Sequence, residues 1–208
     1  GVGGDEWAAY GVDFAGTPTF VAGGPPRSGR SGLLAAMAAG LLRRDVSLVL
    51  ATPRPSPLRA FAGCKGVLAS YEGPQIPLDL GDLLASAEGP VVVLVDDAEL
   101  VKDCAAADVL RETIRHGAER GHAVAIAGSA EDLCTGFSGW QVDVKRGRQG
   151  ALLSPQGVGD GDLIGVRLPR STVGQPIAPG RAVLHLGDGE LVTVQVPAVY
   201  GPSDVMSL

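Results

Sequence analysis

Short hydrophobic runs alternate with segments of helical periodicity along the first two thirds of the chain. The runs are apolar on both faces, as in strands of a parallel sheet that helices cover on both sides. The intervening segments are alanine-rich or amphipathic and favour helices. Strands are predicted at 17–22, 46–51, 66–69, 91–95 and 123–127, and helices at 33–42, 78–87 and 105–120.

This alternation predicts an α/β fold with a doubly wound, mostly parallel sheet. After about residue 139 the pattern changes, because β-prone segments at 163–168, 182–186 and 191–196 follow one another without a helix between them. They predict β-hairpins that either extend the sheet or form a flap. We expect one domain over 1–208, with a core at about 12–139 and a β-rich extension at about 140–200.

Composition narrows the class of protein. The 208 residues are 45% hydrophobic, enough for one substantial core, and the net charge of −6 disfavours direct nucleic-acid binding. Three dispersed cysteines indicate reduced thiols of a cytosolic protein.

No run of the sequence approaches the ~20 apolar residues of a membrane span. The chain starts without methionine, so we expect a piece of a longer multi-domain protein in which any membrane anchor lies in other segments.

A glycine-rich segment lies between the first predicted strand and the first predicted helix. It reads GPPRSGRS over 24–31 and matches G-x-x-x-x-G-K-[ST], except that arginine replaces lysine. Backbone amides and the helix N-terminus of such a loop attract phosphate, and its last hydroxyl can hold magnesium. The alternative is a turn that opens a helix without a ligand. The predicted nucleotide-binding residues are Gly24, Arg27, Ser28, Gly29, Arg30, Ser31 and Gly32, with Ser31 also a magnesium ligand.

Acidic residues close the strand at 91–95, and parallel sheets bind ligands at the carboxyl ends of their strands. Asp96 is the predicted magnesium ligand. Asp97 is the candidate catalytic residue that polarises the attacking water, although it is one methylene shorter than the usual glutamate. The alternative is simple capping of the next turn. Ser129 ends the following strand and is a candidate γ-phosphate contact, but a strand-to-turn transition explains it equally well.

Four parts of the sequence follow one another in a characteristic order: GGPPRSGRS at 23–31, TPRPSPLR at 52–59, VVVLVDDAEL at 91–100, and a tail at 152–170 and 179–181. Their order resembles the FtsK/SpoIIIE family of hexameric translocase ATPases, and within it the terminal ATPase-like domains of actinobacterial EccC-type proteins of type VII secretion. The resemblance implies a RecA-like P-loop NTPase fold, ATP at the loop, Mg²⁺ at Asp96, and a motor anchored to the cytoplasmic membrane by other segments.

Two departures from that family pattern bear on function. A planar guanidinium at Arg30 attracts phosphate but suits in-line phosphoryl transfer less well than lysine, and Asp97 replaces glutamate. Such changes are typical of degenerate members that bind nucleotide or signal peptides without fast turnover. We expect a weakly or non-hydrolytic regulatory or substrate-docking module whose partners are other ATPase domains of the same chain or ring and a secreted peptide.

Two alternatives stay open. One is an active ATP-driven DNA translocase motor, with arginine substituting adequately for lysine and an adjoining subunit completing the site. The other is a protein-interaction domain in which the loop is a relic and an apolar groove accepts a partner helix.

Overall fold

The computed structural model describes residues 1–6, 8–135, 138–199, 201 and 203. Gly136, Phe137 and Tyr200, which fall within the predicted core and extension, lie outside the described residues. Among the residues described, no helix has both the length and the apolar character needed to cross a membrane. The α-helices are α1 Arg30–Leu42, α2 Asp79–Ser86, α3 Ala107–His116, α4 Ala130–Thr135 and α5 Trp140–Lys145. The strands are β1 Val2–Gly3, β2 Ala8–Ala9, β3 Thr19–Gly23, β4 Ser47–Thr52, β5 Val67–Glu72, β6 Val91–Val95, β7 Ala123–Gly128, β8 Gln149–Leu153, β9 Arg181–Leu186 and β10 Leu191–Gln195.

The strands form one 10-stranded sheet in the order β2-β1-β10-β9-β8-β3-β7-β6-β4-β5. Neighbours from β8 to β5 pair in parallel, whereas β9, β10, β1 and β2 add antiparallel pairs beyond β8. The α/β fold with a mostly parallel sheet is therefore confirmed. The C-terminal hairpin extends the sheet and is not a separate flap.

The sheet lies between two layers of helices. Helix α1 packs through Leu34, Ala35, Ala38 and Ala39 on the face that includes Phe20 of β3. Helices α2, α3 and α5 cover the other face. Strands β3, β6 and β7 are buried along their whole length, which explains why their sequences are apolar without alternation.

Several predicted elements differ from the observed ones for local reasons. Helix α1 begins at Arg30 and not at residue 33, because Leu33 N donates to Gly29 O at 2.9 Å. The strand predicted at 163–168 is wrong, since Val158–Ile164 is a 3-10 turn. At its start the Asp160 carboxylate accepts hydrogen bonds from the amides of residues 156 and 157, which favours a turn over a strand.

Two elements of the C-terminal part were not predicted. Helix α5 is only 6 residues long, too short to display helical periodicity. Strand β8 reads QGALL and contains no β-branched or aromatic residue. It forms a strand because it pairs in parallel with β3 and antiparallel with β9, a tertiary effect that local propensity does not encode.

Candidate nucleotide-binding site

The glycine-rich loop leaves the sheet at the point where strand order changes direction. Strand β3 lies between β7 and β8, and the loop connects β3 to α1. Gly23 pairs with Gly128 at the carboxyl ends of β3 and β7, and β6 lies on the other side of β7. Ligands of α/β sheets bind at such a switch point. The fold therefore brings the loop, Asp96, Asp97 and Ser129 to one edge of the sheet, as the sequence predicts.

The turn of the loop is built around Gly29, whose φ is 102°. A Cβ atom on Gly29 would lie 2.7 Å from the backbone nitrogen of Gly180. That nitrogen donates a hydrogen bond to Ser28 O at 3.0 Å, so the turn before β9 supports the loop directly. Both the dihedral angle and the close approach require glycine at this position.

The first residue of the loop is equally confined. A Cβ on Gly24 would collide with Leu153 O of β8 and would lie 2.7 Å from the Ser28 hydroxyl. Ser28 is fully buried, and its Oγ has no hydrogen-bond partner among the described residues. An unpartnered buried hydroxyl costs free energy, and a phosphate oxygen would supply the missing bond. The loop therefore fits the group that the sequence predicts it to hold.

Arg30 turns back across the loop. Its Nη1 donates to Gly24 O at 2.7 Å, and its Nη2 donates to Asp97 Oδ1 at 3.3 Å. The two charged side chains are 12% and 14% exposed, respectively, so the ion pair is largely shielded from water. The sequence presents Arg30 and Asp97 as two separate departures from a family pattern, whereas the fold makes them partners.

The two aspartates after β6 differ in their surroundings. Asp96 is 2% exposed and its Oδ1 accepts a hydrogen bond from Asp97 N at 3.1 Å. Asp97 has φ 43° and ψ 50°, a left-handed conformation that aspartate adopts more often than most other non-glycine residues. Burial and then the charge of Asp96 raise the pKa of Asp97, while Arg30 and Arg54 oppose that rise. Asp97 is therefore bound to Arg30, and Asp96 keeps the position predicted for a magnesium ligand.

Glu99 is a third carboxylate at this edge, and the sequence analysis missed it. Its Oε1 accepts a hydrogen bond from Ser129 N at 3.3 Å, while its Oε2 is buried without a partner among the described residues. Burial raises the pKa of Glu99. The only sequence signal is a third acid in the segment DDAE, and its contact with the end of β7 depends on strand order.

The other predicted residues occupy less constrained positions. Arg27 is exposed with φ 66°, and a Cβ on Gly32 would meet no atom within 4 Å. Ser31 lies in the first turn of α1. The Ser129 hydroxyl accepts a hydrogen bond from Asp132 N at 3.3 Å and so caps α4, which matches the simpler interpretation of that residue. Their contacts with nucleotide and magnesium stay predictions.

A second concave surface lies beside α1, away from the loop. It is an apolar cavity of about 300 Å³ between one flank of α1, the N-terminal segment and the sheet at β8, β9 and β10. Arg43 and Arg44 line it, are exposed, and form no ion pair with any described residue. Its apolar lining, which we call the α1 cavity wall, includes Tyr10, Phe14, Met37, Leu41, Val194 and Val196.

A mostly parallel sheet with a phosphate loop between β3 and α1 gives the chain the fold of P-loop ATPase domains. No family model and no curated protein matches the sequence. Solved structures do match. ATPases 2 and 3 of EssC from Geobacillus thermodenitrificans superpose with a TM-score of 0.73 at 19% identity, over 96% of this chain and 40% of that chain.

Two further structures extend the comparison. EccC from Thermomonospora curvata (ATPases 2 and 3), in complex with a signal sequence peptide, has a TM-score of 0.73 at 16% identity, over 95% of this chain and 40% of that chain. The genome packaging NTPase B204 from Sulfolobus turreted icosahedral virus 2, in complex with ATP-γS, has a TM-score of 0.54 at 11% identity, over 87% of this chain and 98% of that one. The expected resemblance to type VII secretion ATPase domains is confirmed for the fold, and the chain spans less than half of the EssC and EccC chains.

Proposed function

We propose that this chain is an ATP-binding domain of a type VII secretion-like motor of the FtsK/SpoIIIE type, and that it hydrolyses ATP slowly or not at all. The observation that carries the proposal is the ion pair between Arg30, at the end of an otherwise well-formed phosphate loop, and Asp97, which follows β6. The loop supports binding, because its glycine positions and the buried Ser28 hydroxyl fit a phosphate. The ion pair supports slow turnover, because it occupies the carboxylate expected to orient water.

Ser31 and Asp96 are the residues that would hold Mg²⁺ next to the nucleotide. A hydroxyl and a carboxylate are oxygen ligands, which magnesium prefers. When bound, the ion neutralises phosphate charge. The Arg27–Gly32 segment would present its amides and the N-terminus of α1 to the phosphates.

We place the domain within a larger assembly. The EssC and EccC structures contain ATPases 2 and 3 together, and this chain covers 40% of each, which supports other ATPase domains of the same chain or ring as partners. The domain would then work on the cytoplasmic side of the membrane, with anchoring supplied by other segments. The net charge of −6 argues against direct nucleic-acid binding by this segment.

Thermal unfolding with and without Mg-ATP tests the nucleotide site. A ligand selective for the folded state adds about 2.7 kcal/mol at a hundred times its Kd, which raises Tm by roughly 5–10 °C for a domain of this size. We expect a saturable rise of that order, with little phosphate release in the same samples. Arg30→Lys should keep the rise and increase phosphate release, whereas Arg44→Lys at the exposed end of α1 is the matched control and should change neither.

Two results would contradict this proposal in different ways. An unchanged Tm at millimolar Mg-ATP would rule out the nucleotide site and leave a relic loop. Rapid hydrolysis by the wild-type chain, lost in Asp96→Asn or Asp97→Asn, would instead support the active-motor alternative.

The α1 cavity supports a second proposed activity, the docking of a secreted peptide. The related fold of EccC was solved with a signal sequence peptide. Here the cavity combines an apolar wall with Arg43 and Arg44, which are exposed and form no ion pair with the described residues. That combination fits an amphipathic segment of a secreted substrate that carries apolar side chains and a carboxylate at one end.

Synthetic helix-forming peptides test the docking surface. We expect a fluorescent apolar peptide with two terminal Glu residues to bind about three- to ten-fold more tightly than the same peptide with two Lys residues. Arg43→Glu combined with Arg44→Glu should reverse that preference. Arg170→Glu, an exposed charge elsewhere, is the control and should leave it unchanged. Equal affinity for both peptides would count against this surface.

A further inference from the structure

The guanidinium of Arg30 is engaged on two sides by groups of the protein itself. Nη1 is bound to the first carbonyl of the loop, Gly24 O, at 2.7 Å, and Nη2 to Asp97 Oδ1 at 3.3 Å. A guanidinium binds phosphate through the same planar fork of N–H donors. A phosphate group and the Asp97 carboxylate would therefore compete for the guanidinium of Arg30.

We propose that Arg30 and Asp97 form a latch that closes the phosphate loop, and that a nucleoside di- or triphosphate binds by displacing Asp97 from the guanidinium. This inference rests on the proposed nucleotide site and names how that site is regulated. The latch joins the start of α1 to the end of β6, two segments that the parallel order β3-β7-β6 brings to the same edge of the sheet. Opening it exposes Arg30 to the phosphates.

A buried polar group and several charges surround the latch. The Ser28 hydroxyl, inside the loop that Arg30 closes, has no partner among the described residues. Asp96, Arg54 and Glu99 are the other charged groups that act on the pair. Once Arg30 turns to the phosphates, Asp97 is left beside Asp96 without that partner, which opposes binding.

Asp97→Asn tests the latch because it keeps the shape of the side chain and removes the charge. The probe is ADP, titrated calorimetrically in EDTA so that neither hydrolysis nor metal binding contributes. We expect ADP to bind on the order of ten-fold more tightly to Asp97→Asn than to the wild-type chain, the gain that follows from removing one charge-assisted hydrogen bond. Neither magnesium binding nor hydrolysis contributes under these conditions, so a gain in affinity comes either from release of Arg30 or from relief of charge repulsion between the carboxylate and the phosphates.

Glu99→Gln is the matched control. It removes one negative charge from the same edge of the sheet but leaves the Arg30–Asp97 pair intact. The latch predicts a much smaller gain for Glu99→Gln than for Asp97→Asn. Equal gains would mean that only general charge repulsion was relieved, and the latch would be overturned.

A measurement without nucleotide separates the latch from the site it regulates. In urea unfolding of the ligand-free chain, Arg30→Gln and Asp97→Asn should each lower the midpoint, and the double variant should lower it by less than the sum. Additive shifts would overturn the latch. ADP binding that is unchanged or weaker in Asp97→Asn would also overturn it while leaving the nucleotide site in place, whereas no binding by either form at millimolar ADP would overturn both.

Discussion

Replacing Trp140 with alanine lowers the free energy of unfolding by about 3–5 kcal/mol. Trp140 is fully buried in the core that α5 forms with the sheet, and its Nε1 donates to Val101 O at 3.2 Å. The truncation leaves a cavity the size of an indole ring and removes the donor from a buried carbonyl. Urea unfolding followed by far-UV circular dichroism measures the loss.

Two further variants calibrate that result. Trp140→Phe keeps most of the apolar volume but loses the hydrogen bond, so it should cost clearly less than the alanine variant. Leu78→Ala is the surface control, since Leu78 is 66% exposed and its loss should change the unfolding free energy by less than about 0.5 kcal/mol. A Trp140→Ala effect as small as that of Leu78→Ala would mean that α5 does not pack on the sheet as described.

We expect Gly29→Ala to abolish the rise in Tm proposed for Mg-ATP and to lower the unfolding free energy by about 2 kcal/mol. The new Cβ meets two obstacles, a φ of 102° and the backbone nitrogen of Gly180 at 2.7 Å. Relief of either displaces the loop and breaks the hydrogen bond from Gly180 N to Ser28 O. Thermal unfolding with and without Mg-ATP measures both effects in one experiment.

Gly40→Ala is the control from the same helix. A Cβ on Gly40 meets no atom within 4 Å, so alanine should stabilise α1 by about 0.5–1 kcal/mol and leave the ATP-dependent rise intact. If Gly29→Ala retained the full rise in Tm, the phosphate loop would not be the nucleotide site.

The sequence predicts those elements whose own residues show a clear hydrophobic or glycine pattern. Strand β6 matches its predicted bounds because VVVLV is apolar on both faces and ends at two aspartates. The loop is located by its glycine spacing between a strand and a helix. Strand β8 was not predicted because it contains no β-branched or aromatic residue. Helix α5 was not predicted because it has only 6 residues.

The site shows the same division between local and tertiary information. Arg30 and Asp97 are recognisable one at a time, but their contact joins residues 67 positions apart and depends on the order β3-β7-β6. The hydrogen bond between Glu99 and Ser129 depends on the same order. Local periodicity identifies strands and does not order them within a sheet, so no pattern in the chain predicts either contact.

The turn at Gly180 contacts both the phosphate loop and the α1 cavity wall. Its nitrogen is bonded to Ser28 O of the phosphate loop, and its own carbonyl accepts a hydrogen bond from Val196 N at 2.8 Å. Val196 belongs to the α1 cavity wall. Two hydrogen bonds thus connect the loop to the cavity wall, and we expect a displacement of either to shift the other. By thermodynamic linkage, any factor by which nucleotide alters peptide affinity is the factor by which peptide alters nucleotide affinity.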